Sequence, residues 1–355
     1  MTARMAGAAL VVACLASCSA VAEERAPGID AEPLQGTALD TEHDFAVGIL
    51  QDAGLGVCSG VLIAPNLVVS ARHCVEGVSS PLIDCATSTF GDPMARARLK
   101  VTAAAELRTD RDFVGIAKIV TAGRAHDFVC GNDVALLILD RPIALSQYAT
   151  PVLDPFEGRP GDSRVLAIGH GLDSPNDDRG ESIGVRRIKT DLQVTCIGPD
   201  ERIDACSVVR NRVRPAEVMV SDAAACNGDS GSAIYDQASF DAGQWRALGS
   251  LSRGSVSADG KACVESVYAR FDQFRDLFLR AAIEAADRAG APLADWAAAE
   301  CAKSGCASLA SPELRAEGGC AFAARVSPSG LAWPFGIFSA WLARRRAGRA
   351  RRARR

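Results

Sequence analysis

From Phe45 to Arg270 the apolar residues come in runs of four to eight, each ended by glycine, aspartate, asparagine or proline: FAVGIL, VCSGVLIA, NLVVSA, FVGIAKIV, VALLIL, RVLAIG, WRALGSL and SVYARF. Runs this short, punctuated this regularly, suit strands of an all-β barrel or sandwich. The period changes once. FDQFRDLFLRAAIEAADRAG, Phe271 to Gly290, sets Phe271, Phe274, Phe278 and Ile283 near one helical face and offers Gly290 as a stop. The chain is therefore expected to be a strand-rich body that closes with one C-terminal helix. Its 355 residues, 48% hydrophobic, suffice for one large domain or two packed halves, and with only 5% aromatics the cores must be mostly aliphatic. DSPNDDRGES, Asp173 to Ser182, is a polar surface loop, and no internal repeat is evident.

Both ends read as addresses instead of fold. MTARMAGAALVVACLASC has one basic residue, Arg4, then a short apolar run and small residues, the build of a secretory signal over 1–18. LASC, ending at Cys18, also resembles a bacterial lipoprotein signal in which the cysteine is lipidated; an ordinary cleaved signal is the alternative. At the other end, Gly330 to Leu342 is apolar for 13 residues, short of the ~20 of a stable spanning helix, and RRRAGRARRARR follows with eight arginines. Together with Cys320 this resembles the cysteine, hydrophobic and arginine sorting tag of myxobacterial secreted proteins, commonly called MYXO-CTERM, over 320–355. That resemblance implies processing near Cys320 and a place on the cell surface; a plain C-terminal anchor is the alternative. Membrane attachment is thus expected only through terminal tags. The net charge of −4 hides the asymmetry, because the chain without the arginine block sits near −12. A nucleic-acid partner is not expected, since the basic charge is one terminal block and not a folded face.

The cysteines agree with export. Of thirteen, ten remain once the two in the signal and Cys320 are set aside, an even number for a disulfide-permissive compartment. None has persuasive zinc spacing, and no metal or cofactor is expected; Cys301 and Cys306 suit a small disulfide loop. Residues 19–33 are expected to be a pro-segment or linker, 34–285 the main domain, and 286–319 an alanine-rich stalk or partly helical spacer.

Three short stretches carry chemistry. CNGDSGSAI, Cys226 to Ile234, places Ser230 between an acid and a glycine, which by itself is ordinary turn chemistry. A serine hydroxyl attacks only when a base and an orienting acid assist it. CSGVLIAPNLVVSARHCVEG, Cys58 to Gly77, reads as a strand, a Pro-Asn turn and a second strand, with His73 beside the second cysteine. GNDVALLILDRPI, Gly131 to Ile143, puts Asp133 just before a fully apolar strand. A lone histidine is commonly a core residue and a lone aspartate a cap, but the three together supply nucleophile, base and acid. An aspartate bonded to one imidazole nitrogen fixes the tautomer and stabilises the imidazolium formed when the other nitrogen takes the serine proton. The amides of Gly228 and Ser230 offer donors to an oxyanion.

SARHC, NDVALL and CNGDSGSAI, in the order His, Asp, Ser, resemble the Thr-Ala-Ala-His-Cys, Asp-Ile-Ala-Leu-Leu and Gly-Asp-Ser-Gly-Gly-Pro motifs of the trypsin/chymotrypsin family of serine endopeptidases. The resemblance implies two antiparallel six-stranded β-barrels with the site between them, a catalytic triad of His73, Asp133 and Ser230, and an oxyanion hole of Gly228 and Ser230. It implies disulfides Cys58–Cys74 and Cys226–Cys263, and suggests Cys196–Cys206 and Cys85–Cys130. Protein or peptide substrates would pair by backbone with Ser252 and Gly254 as an added strand, while Ala224, Gly254 and Ser266 would shape a pocket for small-to-medium apolar residues before the scissile bond.

Departures concern activation. The family places a new amino terminus, Ile-Val-Gly-Gly, on the acid corresponding to Asp229. Here the region reads EPLQGTALD, Glu32 to Asp40, with no basic residue just before Leu34 and Arg25 the nearest upstream. An activating protease cutting near Leu34, another cation for Asp229, or an inactive protein are the possibilities. GHG, Gly169 to Gly171, replaces the family's Gly-Trp-Gly, and a non-catalytic surface binding protein is the rival reading. The chain is expected to be monomeric.

Overall fold

The computed structural model describes residues 37–54, 56–80, 83–108, 112–198, 213–221, 225–257, 263–306 and 309. Sixteen strands are found among them. The first sheet takes β2 (Ala46–Gln51), β3 (Gly56–Ala64), β4 (Leu67–Ser70), β7 (Leu99–Thr102), β8 (Ile116–Thr121) and β9 (Ala135–Leu139), in the order β7-β2-β3-β4-β9-β8. Its two edges meet where Val101 and Val114 exchange hydrogen bonds of 2.9 and 2.8 Å. The second sheet contains β11 (Arg164–Gly169), β12 (Arg187–Ile197), β13 (Glu217–Val220), β14 (Ala233–Asp236), β15 (Arg246–Val256) and β16 (Cys263–Arg270). Pairing of β12 with β13 closes these six into a ring, to which β1 (Thr37–Leu39) adds on β12 and β10 (Thr150–Pro151) on β15. A hairpin of β5 (Glu76–Val78) and β6 (Phe90–Pro93) stands apart.

The apolar runs became strands because closure buries them. In VALLIL every residue of β9 lies at the core, 3% exposed or less, as expected of a strand covered on both faces. The Pro65-Asn66 turn joins β3 to β4 in the register Val61↔Val69, and the Asn66 Nδ2 group donates to the Ala285 carbonyl at 2.8 Å. That bond ties the hairpin to the last turn of the helix after β16.

Helix α1 (Gln237–Asp241) is a single turn capped by Asp236, and α2 (Arg275–Ala289) is the helix the period change announces. It ends at Gly290, which takes the left-handed conformation, φ 59°. Phe271 and Phe278 are wholly buried, their ring centroids 4.9 Å apart. Beyond it the alanine-rich stretch forms α3 (Asp295–Ser304), which is docked on the body: Ala297 is buried, and the Trp296 indole donates to the Ile63 carbonyl at 2.7 Å. A stretch expected to be a spacer is, over these residues, part of the folded body. Among the described residues no helix is long and apolar enough to cross a membrane.

Disulfides join Cys58 to Cys74, Cys85 to Cys130, Cys226 to Cys263 and Cys301 to Cys306. Cys196 is also disulfide-bonded; Cys206 lies outside the described residues, as do Cys18 and Cys320.

Candidate active site

His73 sits on a single turn of 3-10 helix, Arg72–Cys74, immediately after β4. Two features hold the turn. The Cys58–Cys74 disulfide fastens it to β3, and the buried Arg72 side chain anchors it from beneath, with Nε donating to Glu76 at 2.8 Å, Nη2 to the Arg124 carbonyl at 2.7 Å, and the guanidinium 4.0 Å from the Phe90 ring centre. A cation this deep is stable only with such a full set of partners. The sequence reading missed Arg72, and its place beside the histidine was the one available signal.

Asp133 is fully buried just ahead of β9 and accepts three hydrogen bonds. Oδ1 takes the His73 backbone N–H at 2.9 Å, while Oδ2 takes His73 Nδ1 at 2.8 Å and the Ser252 hydroxyl at 2.7 Å. Burial favours the protonated acid, but the charge of His73 and the hydrogen bonds from His73 and Ser252 outweigh it and hold the carboxyl below its usual range. Burial likewise pulls the imidazole down, and the facing carboxylate outweighs that and raises it above its ordinary value. With Nδ1–H committed to Asp133, Nε2 is left as the basic nitrogen. Ser252, expected to pair with substrate through its backbone, donates its hydroxyl to Asp133, so a residue of the second barrel supports an acid of the first.

The Ser230 loop is held against the His73 turn by its backbone. The Ser230 carbonyl accepts the Ser59 N–H at 2.7 Å and lies 3.6 Å from Cys74 Sγ. The Ser59 hydroxyl donates to the Gly228 carbonyl at 2.9 Å and accepts the His170 N–H at 2.9 Å. Among the described residues, no hydrogen bond uses the N–H groups of Gly228 or Ser230. Two glycines make the loop possible. At Gly228, φ is 99° and a Cβ would come within 2.9 Å of Gly171 Cα; at Gly231, φ is 83° and a Cβ would lie 2.4 Å from the Ser59 carbonyl. Side chains cannot meet either demand.

Asp229 lines a cavity of about 40 Å³ together with Arg187, Lys189 and Tyr268. Its carboxylate accepts the N–H groups of Gly171 at 2.7 Å and Cys226 at 2.9 Å. Burial dominates all the same and pushes its pKa up to about 7. Two amide donors and the nearby Arg187 charge do not offset that burial. Leu34, expected to serve it, lies outside the described residues, but Thr37 pairs with Lys189 on the rim of that cavity.

Gly254 and Ser266 are paired across β15 and β16, and a Cβ on Gly254 would approach the Ala225 carbonyl at 3.1 Å and the Ser266 hydroxyl at 3.9 Å. These expected pocket residues therefore lie together. Ala224 lies outside the described residues.

The pattern of the family described as Trypsin matches residues 36–278. The CLIP domain-containing serine protease HP8 of Bombyx mori is 27% identical over 257 residues, covering 67% of this chain and 66% of that protein. Chymotrypsin-C of Bos taurus is 26% identical over 223 residues, covering 62% and 75% respectively. Serine protease 1 of Rattus norvegicus is 26% identical over 130 residues, covering 37% and 46%. The chain thus spans between about half and three quarters of the length of these relatives.

Proposed function

Because the chain belongs to the trypsin family, we propose that it is an exported serine endopeptidase in which His73, Asp133 and Ser230 act as the triad. The observation that carries this reading is the hydrogen-bonded series Ser252, Asp133, His73, which crosses from one barrel to the other and ends beside the Ser230 loop.

In this reading His73 Nε2 takes the Ser230 proton as Oγ adds to the peptide carbonyl carbon. The carbonyl π electrons move to oxygen, and the amides of Gly228 and Ser230 receive the oxyanion. The imidazolium then gives its proton to the leaving amine as the C–N bond breaks and an ester forms on Ser230. Water, deprotonated by the same nitrogen, hydrolyses that ester and restores the hydroxyl. Asp133 stays ionised throughout and stabilises the imidazolium.

We read the preference as small-to-medium apolar residues before the scissile bond, because Gly254 and Ser266, paired across β15 and β16, are both uncharged. Maturation is proposed to occur by cleavage near Leu34. Leu34 stands three residue steps before Thr37, and at about 3.5 Å per step these span roughly 10 Å, a reach that would carry a new ammonium from the cavity rim towards Asp229. The disulfides fit an oxidising compartment, and the terminal tags, with Cys18 and Cys320 as candidate lipidation or processing sites, are proposed to deliver the protein to a cell surface.

The test is fluorophosphonate labelling of protein isolated from its native cells, beside a Ser230→Ala variant, with the N-terminus read by intact mass. Labelling of the parent and none of the variant is expected. A folded, cleaved protein that does not label sinks the protease reading and favours a non-catalytic binding protein.

A further inference from the structure

Glu217 opens β13 and is wholly buried, yet its carboxylate is fully occupied. Oε1 accepts the Gly131 N–H at 2.7 Å and Arg253 Nη1 at 2.7 Å; Oε2 accepts the Arg214 N–H at 2.7 Å and Arg253 Nη2 at 2.8 Å. The guanidinium thus grips both oxygens, the geometry in which arginine gives direction as well as charge.

The donors come from three separate segments. Gly131 lies in the first barrel, two residues before Asp133. Arg214 leads into β13. Arg253 stands on β15 next to Ser252, and its Nη1 is 3.5 Å from the Ser252 hydroxyl that donates to Asp133. One carboxylate therefore joins the backbone that carries Asp133 to the strand that carries its hydroxyl partner, on opposite sides of the boundary between barrels. A buried ion pair is a poor way to gain stability, since apolar residues of the same volume commonly do as well. What it supplies that apolar residues cannot is a fixed register between the segments it bridges.

We propose that the Glu217–Arg253 pair is a positioning clamp for Asp133: acting through Gly131 and Ser252, it holds the carboxylate in line with His73 Nδ1 across the barrel boundary. Neither residue touches substrate in this role. The inference rests on the reading of His73 and Asp133 as base and acid, but its test does not require turnover.

The ring protons of His73 are titrated by NMR in the Ser230→Ala protein and in the same protein with Glu217→Gln and Arg253→Gln together. Removing both charges leaves the net charge near His73 unchanged, so a shift reports geometry. The charged groups around the pair are Arg214 beside Glu217, and Asp133 and His73 beyond Ser252; all are kept. The clamp predicts that the His73 midpoint falls toward its ordinary value in the double variant. With Ser230 intact, it predicts at least a tenfold loss of kcat with KM within twofold. Arg253→Lys, which keeps the charge but loses the two-point grip, falls between parent and double variant in both readouts. A folded double variant with the parental His73 titration overturns the proposal. Should the double variant not fold, Arg253→Lys decides alone: a parental midpoint and kcat would overturn the clamp. If no variant or parent cleaves peptides, the protease reading fails while the titration still decides the clamp.

Discussion

His170 shows how much one side chain can impose on the pH behaviour of the fold. It replaces a tryptophan of the family's pattern, is wholly buried, and its Nδ1 has no partner among the described residues. Burial, with the nearby Arg186 charge, drives its pKa down to about 3. The native state therefore keeps it neutral while the unfolded chain takes a proton from about pH 6.5 downward. Stability is full above that value and is lost progressively as pH falls toward 3. His170→Leu should flatten this limb, narrowing the loss between pH 6.5 and 4 by on the order of 3 kcal/mol in urea unfolding followed by fluorescence. An unchanged acid limb would show that the imidazole is hydrated or partnered in solution. Ser59 illustrates a different kind of residue: its motif, Cys-Ser-Gly, says nothing of the bonds to Gly228, Ser230 and His170 that it makes across 111 to 171 residues of sequence.

Among the elements, α3 departs furthest from its sequence pattern. Its alanines and single tryptophan lack a broad apolar stripe, which is why the stretch reads as a spacer. Docking works because small side chains let the helix approach α2 closely, while Trp296 reaches Ile63 and Arg275 holds Glu300 at 3.0 Å. Trp296→Ala should destabilise the protein by ~1–3 kcal/mol, from lost partly buried aromatic area and an unmet carbonyl. His73 titration should stay as in the parent. A shift in that titration would mean that the helix influences the site. Eight strands, β2, β3, β4, β8, β9, β11, β15 and β16, were readable because each contains an apolar run bounded by turn residues; β12 and β13 were not, and it is their pairing that closes the second ring.

For the whole molecule, the decisive quantity is the charge at Asp229. In uncleaved protein its raised pKa, about 7 against an ordinary 3.8, means that the native state binds the proton more tightly than the unfolded chain. This contribution is present below pH 4 and is lost as pH rises to about 7. An ammonium delivered by cleavage near Leu34 would reverse the sign, since a paired carboxylate is held ionised and its contribution then grows with pH. Relative to an Asp229→Asn variant of each, the precursor should lose stability between pH 4 and 7, by up to ~4 kcal/mol, and the cleaved protein should gain it. Parallel curves for the two forms would show that the new terminus does not reach the cavity.

The motifs around His73, Asp133 and Ser230 determine the family, and the strand periods with the single change after Arg270 determine the all-β class and the closing helix. Those are local properties: a motif or a period lies within a few residues and survives without the fold. What only the tertiary structure decided is which groups meet over long separations. Ser252 reaches Asp133 across 119 residues, Gly131 reaches Glu217 across 86, and Asn66 reaches Ala285 across 219. Such pairs leave no periodic trace, because a hydrogen bond needs one donor and one acceptor at the right place, and only chain closure sets that place.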